Sequence, residues 1–368
     1  MEKDLILFVG TYTQPIKFGT GQILEGKGKG IYCYRVNRKT GEMTLLKENA
    51  GIDNPSYLTL DSKKRHLYTV NELKQYEGKE SGSASAYRLE PDFSLTLLSR
   101  RATGGTDPCH IMVDAEDRYA FVANFMSGSF CVFPILEDGS LAEASDFVQH
   151  EGSSVHPVRQ RGPHAHSVNM SPDETRIFVP DLGLDRVMVY QPDYRTGKLT
   201  PNDPPWLQVP PGSGPRHCEF HPNGRFCYLI NELSCKVSVL EYHKEDGSFR
   251  EIHSVSTVVG YEGRENICAD IHLRPDGKFL YGSNRGCDTL VIYAVEEGTG
   301  RLSLVDTQPS GGATPRNFAI DPSGELLIVA NQDTDNLVVF RIDKEKGTLQ
   351  KISETKVSTP VCVKPYEF

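Results

Sequence analysis

The chain lacks the features that would take it to a membrane, to nucleic acid or into an oxidising compartment. No apolar run approaches the ~20 residues that a membrane-spanning helix needs. Basic residues are in deficit: 40 Lys and Arg stand against 49 Asp and Glu, a net charge of −9. That deficit argues against a nucleic-acid or anionic-membrane surface, whose affinity would rest on Lys and Arg. Met1-Glu2-Lys3-Asp4 followed by Leu5–Val9 is too short and too acidic for a signal peptide. The 9 cysteines, scattered from Cys33 to Cys362, include no Cys-x-x-Cys pair. An oxidised secreted scaffold would be denser in cysteine, so these read as reduced, mostly buried small hydrophobes. There is also no Gly-x-Ser-x-Gly nucleophile elbow, phosphate loop or dinucleotide fingerprint. Gly26-Lys27-Gly28-Lys29-Gly30 precedes a strand, Ile31–Val36, instead of a helix, and reads as a flexible loop. Together these absences describe a soluble, cytoplasmic protein with no nucleotide cofactor.

Helical periodicity is missing too, and a repeat takes its place. A short apolar run ending in Asn recurs in Tyr68-Thr69-Val70-Asn71-Glu72, Phe121-Val122-Ala123-Asn124-Phe125 and Tyr228-Leu229-Ile230-Asn231-Glu232. It returns in Leu280-Tyr281-Gly282-Ser283-Asn284-Arg285 and Ile328-Val329-Ala330-Asn331-Gln332, with weaker copies at Phe178–Leu182 and Leu7–Thr11. From Asn71 onward the spacings run from 47 to 57 residues. Each unit holds four short segments rich in β-branched and aromatic residues and separated by turn dipeptides, such as Asp270–Arg274, Phe279–Ser283, Thr289–Val295 and Leu302–Asp306. Four strands repeated seven times predict an all-β, seven-bladed β-propeller. The first unit lacks a first strand, whereas Thr359-Pro360-Val361-Cys362-Val363 resembles a first strand with nothing after it. The C-terminal strand is therefore expected to join the N-terminal blade and close the ring, making residues 1–368 one domain.

The geometry of such a blade locates candidate functional residues. An antiparallel first strand starts at the face where the second strand ends. First-strand starts and second-strand ends from all blades thus converge on one mouth of the central channel. The starts fall near residues 54–57, 107–110, 162–166, 214–217, 269–272 and 314–317, and the ends add Glu72, Asp181, Glu232, Arg285 and Gln332. A mouth lined by His110, His164, His166, Arg216, His217, Glu232, Asp270, Arg285 and Arg316 suits a small anionic ligand. Arginine grips carboxylate or phosphate through paired hydrogen bonds, while His and Glu move protons near neutral pH. His164-Ala165-His166 places two imidazoles on one side of a strand, a pattern that can hold Zn²⁺ with His110, His217 or Asp181. The arginines beside it would repel a cation, so no metal is expected. His66, His221, His243 and His253 read as surface or turn residues, His272 and Gln332 as structural, and the strand-end asparagines as turn chemistry.

Gly10-Thr11-Tyr12-Thr13, Asn54-Pro55-Ser56-Tyr57-Leu58, Gly162-Pro163-His164-Ala165-His166, Gly214-Pro215-Arg216-His217, Asn231-Glu232, Ser283-Asn284-Arg285-Gly286 and Thr314-Pro315-Arg316-Asn317-Phe318 carry a family resemblance. Through all seven units the chain resembles the seven-bladed propeller lactonases, which include propeller-type 6-phosphogluconolactonases and the fungal carboxy-cis,cis-muconate cyclase. The cyclase site combines a histidine, two arginines and a glutamate. The matching residue types are Arg216, Glu232 and Arg285, with a histidine among His164, His166 and His217. The resemblance implies a metal-free, cofactor-free lactone hydrolase that opens a small anionic lactone, 6-phosphogluconolactone, to 6-phosphogluconate, with Arg216 and Arg285, joined by Arg316, holding the phosphate or stabilising the oxyanion and Glu232 or a histidine as the general base. Glu232, His217, His166 and Arg285 are the expected catalytic set, and Arg216, Arg316, His164, His110 and Asp270 are expected to bind substrate. Two rival readings are cyclisation of a tricarboxylic muconate and a non-catalytic ligand- or protein-binding propeller. The chain departs from the pattern at Asp181-Leu182 and in extra residues around Pro163–Pro172, and its long first loop, Gln14 to Lys29, is placed to shape substrate entry. No nucleic-acid or membrane partner is expected, and the chain reads as a monomer or weak homo-oligomer.

Overall fold

A computed structural model describes residues 3–18, 20–261 and 263–368. The repeated units become seven four-stranded antiparallel sheets, plus a small hairpin of Ile16–Lys17 and Ile23–Leu24. Among the described residues there is no helix. In blade 5, for example, Pro215–Phe220, Phe226–Asn231, Lys236–His243 and Ser248–Ser256 run outward in order. Second strands such as Tyr119–Asn124, Phe226–Asn231 and Leu326–Asn331 are buried at every residue, because each sheet is covered on both faces by its neighbours. Burial of a large apolar side chain such as Phe8, Phe121 or Phe178 stabilises by roughly 1.5–3 kcal/mol. Fourth strands alternate: in Leu349–Lys356 the residues facing out are charged or polar, as suits a solvent edge.

Blade 1 combines both ends of the chain. Pro360–Glu367 pairs with Leu5–Thr11 from Leu5↔Glu367 to Thr11↔Pro360, and Gly30–Val36 and Met43–Ala50 complete the sheet.

The repeat has a polar logic as well. The strand-end asparagines are not turn residues; they are buried and tie their sheet to the loop behind it. Asn71 Nδ2 donates to the Asp53 carbonyl and its Oδ1 accepts from Ser85, while Asn284 Nδ2 donates to the Thr257 carbonyl and to Thr289. Buried tyrosines latch blade to blade: Tyr68, Tyr228 and Tyr281 donate to the carbonyls of Gly139, Gly300 and Gly347 in the following blade. The glycine run before Ile31 lies packed against residues 11–14, and a Cβ on Gly28 would fall 2.2 Å from Thr11 Oγ1. Close approach, not flexibility, accounts for these glycines.

Candidate active site

Five of the seven innermost strands begin with one local device. Asn54, Asp107, Gly214, Thr314 and Thr359 hold positive φ, and each is followed by Pro. In blades 3, 5 and 7 the ladder then slips by one residue, between Pro108 and His110, Pro215 and His217, and Pro315 and Asn317. A bulge leaves one residue unpaired and re-aims its side chain. Those residues are Cys109, Arg216 and Arg316, and all three reach the axial mouth.

The mouth is a cavity of about 360 Å³. On one wall, at the end of the Phe226–Asn231 strand, Glu232 gathers three guanidinium groups. Arg285 Nη2 donates to Oε2 at 2.8 Å and Arg159 Nη2 to Oε1 at 2.5 Å. Arg216 Nε lies 3.1 Å from Oε2 but out of line for a hydrogen bond, while its Nη1 donates to the Ala269 carbonyl. Burial works to raise the Glu232 pKa, but Arg285, Arg159 and Arg216 outweigh it and hold the carboxyl well below its ordinary range. An ionised carboxylate so fully engaged is a poor proton acceptor and a good organiser of positive charge. Beside it, His166 Nε2 lies 3.9 Å from Glu232 Oε2, and Nδ1 lies 3.8 Å from Cys109 Sγ. Burial, Arg216 and His217 hold the His166 pKa well below 6.5, so the ring is neutral at neutral pH.

Beneath the cavity runs a chain of hydrogen bonds. His217 Nδ1 meets Asp270 Oδ1 at 2.7 Å, Asp270 Oδ2 meets His272 Nε2 at 3.2 Å, and His272 Nδ1 meets Glu219 Oε2 at 2.7 Å. Arg216 Nη1 sits 3.3 and 3.4 Å from the two ring nitrogens of His217. Burial and Arg216 push His217 down to about 4, whereas Asp270 and Glu219 overcome burial to raise His272 to about 10. The neutral ring therefore supports Arg216 from below, and a cationic one neutralises the two carboxylates. His110 lies deeper against Tyr57, ring centroids 4.3 Å apart.

The opposite wall is built differently. Arg316 lies over the rings of Tyr12 and Phe18, 5.5 and 5.6 Å from their centroids. The Tyr12 hydroxyl donates to Glu72 Oε2 at 2.9 Å. Burial raises the Glu72 pKa, with Arg316 opposing.

Of the residues expected at the mouth, His166, Glu232, Arg285 and Arg316 line the cavity. Arg216 and His217 line a small cleft beneath it, with Asp270 behind His217. His164 stands apart from this group, stacked on Phe125 at 4.7 Å with Nδ1 on the Phe125 carbonyl, which takes that nitrogen from any metal. Asp181 is fully buried, where it meets His150 Nδ1 at 2.6 Å and accepts the His164 backbone N–H. Among the described residues no group of three His, Cys, Asp or Glu side chains is placed to hold a metal ion.

One wall residue, Arg159, lies outside what the repeat predicts. Arg159 comes from the long connection before Asn169–Met170, anchored by Gln160 Nε2 on the Leu182 carbonyl at 2.8 Å and by Ser154 on Asp185. Its only signal was a basic residue in a segment with no counterpart in the other units. Glu72, which the repeat places at the mouth, occupies the same strand-end position as Glu232.

Residues 6–365 match the family described as Lactonase, 7-bladed beta-propeller. The chain is 34% identical over 359 residues to the 6-phosphogluconolactonase of Bacillus subtilis, covering 97% of each. It is 35% identical over 321 residues to the 6-phosphogluconolactonase of Formosa agariphila, covering 86% of each. The solved structure of the periplasmic gluconolactonase of Pseudomonas aeruginosa is similar with a TM-score of 0.90 and 36% identity, over 98% of this chain and 99% of that one. The chain thus belongs to the seven-bladed β-propeller lactonases.

Proposed function

We propose that this chain is a lactone hydrolase that opens 6-phosphogluconolactone to 6-phosphogluconate, the activity for which two of its relatives are named. One observation carries the mechanism: a neutral imidazole, His166, stands at the cavity wall beside three guanidinium groups fixed on one carboxylate. Water attacks the lactone carbonyl carbon while His166 takes its proton. The oxyanion that forms is met by Arg285, with Arg159 and Arg216 adding to the field, in a cavity where burial strengthens such contacts. The ring C–O bond then breaks, and the departing oxygen recovers the proton from His166. Glu232 holds the arginines in place, and Asp270 and His217 support Arg216 from below. Arg316 completes the surroundings of the substrate on the opposite wall. Relatives named for lactone hydrolysis favour this direction over lactone formation.

Nine unpaired cysteines, most of them buried, support a reducing compartment such as the cytoplasm. Ring closure within one chain needs no second copy, which supports a monomer or weak homo-oligomer.

The test is a coupled assay with freshly made 6-phosphogluconolactone and 6-phosphogluconate dehydrogenase, after subtraction of spontaneous opening. Replacement of a general base costs about 10²–10⁴ in rate, so His166→Gln should lose most of kcat. Full activity in that variant would remove His166 from the mechanism.

A further inference from the structure

The lactone-hydrolase reading leaves open what the second wall of the cavity recognises. We infer that Arg316 and Lys17 form an anion subsite that takes the phosphate of a phosphorylated sugar lactone and separates it from the unphosphorylated sugar. The inference rests on the lactonase reading for its substrate, but its geometry stands apart from the reaction centre.

Four arginines line the cavity or the cleft beneath it, and three are committed to Glu232. Arg316 is the exception. Among the described residues it makes no ion pair and no hydrogen bond, and its guanidinium lies over the faces of Tyr12 and Phe18. Two aromatic faces hold a guanidinium in position without using its N–H donors. Those donors belong to a bulged residue that the Pro315–Ile320 strand turns toward the axis. The half-buried guanidinium thus keeps its N–H donors open to a ligand or to water. Glu72 and Glu232 both act on Arg316 through charge without pairing with it; Glu72 already accepts from Tyr12, and Glu232 is taken by the other three arginines.

A second cation comes from the neighbouring blade. Lys17 precedes Phe18, lines the same cavity, is exposed, and has no acidic partner among the described residues. A planar fork and an ammonium group together match a phosphate dianion, whose three free oxygens exceed what one guanidinium can satisfy. The layout fits a bridging substrate as well. His166, Glu232 and Arg285 come from blades 4, 5 and 6, whereas Arg316 and Lys17 come from blades 7 and 1. A lactone whose carbonyl meets the first group would extend its phosphate-bearing carbon toward the second.

The experiment compares the wild type, Arg316→Gln, Arg316→Lys and Lys17→Met on 6-phosphogluconolactone and on gluconolactone. It also measures binding of inorganic phosphate by calorimetry. The expected result is a preference for the phosphorylated substrate that falls about 30-fold or more in Arg316→Gln, chiefly through KM, and about 3–10-fold in Lys17→Met. Arg316→Lys should recover part of the loss, and phosphate binding should weaken at least about tenfold in Arg316→Gln. Equal losses on both substrates would overturn the subsite, since Arg316 would then belong to the reacting centre. Phosphate that binds wild type and Arg316→Gln alike would overturn it too. A wild type that opens neither lactone refutes the lactonase reading, while its phosphate binding still decides the subsite.

Discussion

Glu232→Gln is the most informative single change, because it keeps the side-chain shape and removes the charge that gathers three arginines. The side chains of Arg159, Arg216 and Arg285 are 14%, 3% and 11% exposed, so water is poorly placed to replace the carboxylate. Removing one partner of a buried ion pair costs about 3–5 kcal/mol. Unfolding entropy of ~2.1 cal/mol/K per residue gives ~0.8 kcal/mol/K for 368 residues. Dividing the one by the other, Tm should fall by about 4–6 °C. Activity should fall about 10²–10³-fold, the loss seen when an oxyanion donor is removed, because the guanidinium groups separate. Scanning calorimetry reads the first quantity and the coupled lactone assay the second. Adding Arg159→Gln to Glu232→Gln removes one of the unpaired cations and should restore part of Tm without restoring kcat. An unchanged Tm with lost activity would refute the organising role and make Glu232 a proton carrier.

Three further outcomes are expected. Burial and Arg216 depress the His166 pKa, so the group stays in its working, neutral form through the ordinary histidine range. The acid limb of kcat/KM should therefore lie below the unperturbed histidine value of about 6.5, and a midpoint at or above it would contradict this. His272 has its pKa raised to about 10, so its contribution to stability is fully present below the unfolded value and is lost as pH rises toward 10. The full shift would be worth about 5 kcal/mol, and with 23% of the side chain in solvent about 2 kcal/mol is expected between roughly pH 6.5 and 10. Urea unfolding should show this decline in the wild type and a flatter one in His272→Gln; parallel curves would refute the linkage. Ending the chain after Ser358 removes the inner strand of blade 1 and uncovers the Leu5–Thr11 edge, so cooperative unfolding should be lost. A truncated chain with wild-type Tm would show that the ring does not depend on that closure.

The architecture was legible because its causes are local and repeated. Every second strand is sandwiched between sheets, so an apolar run recurs; four of the seven end in a buried Asn and a fifth carries it one residue earlier, so that residue recurs with it. The convergence of strand starts and ends on one mouth followed from antiparallel order alone, and His166, Glu232, Arg285 and Arg316 line the cavity there. Depth was not legible. Arg216 and His217 are adjacent in sequence, yet a one-residue slip aims the arginine at Glu232 and leaves the histidine on Asp270 below. Simple alternation cannot reveal such a slip. Arg159 was invisible for another reason: its loop has no equivalent in other blades, and tertiary anchors at Gln160 and Ser154 set its position.

The shared blade also sets a schedule for synthesis. Leu5–Thr11 is made about 350 residues before Pro360–Glu367, which covers its inner edge. At about 5–20 residues per second, the nascent chain carries that apolar edge unpaired for roughly 20–70 s. Six later blades can form from neighbouring segments while the first waits. An open, hydrophobic strand edge of this kind is what chaperones shield and what aggregation recruits. Yield on expression should therefore depend more on the fate of that waiting strand than on the stability of the finished ring.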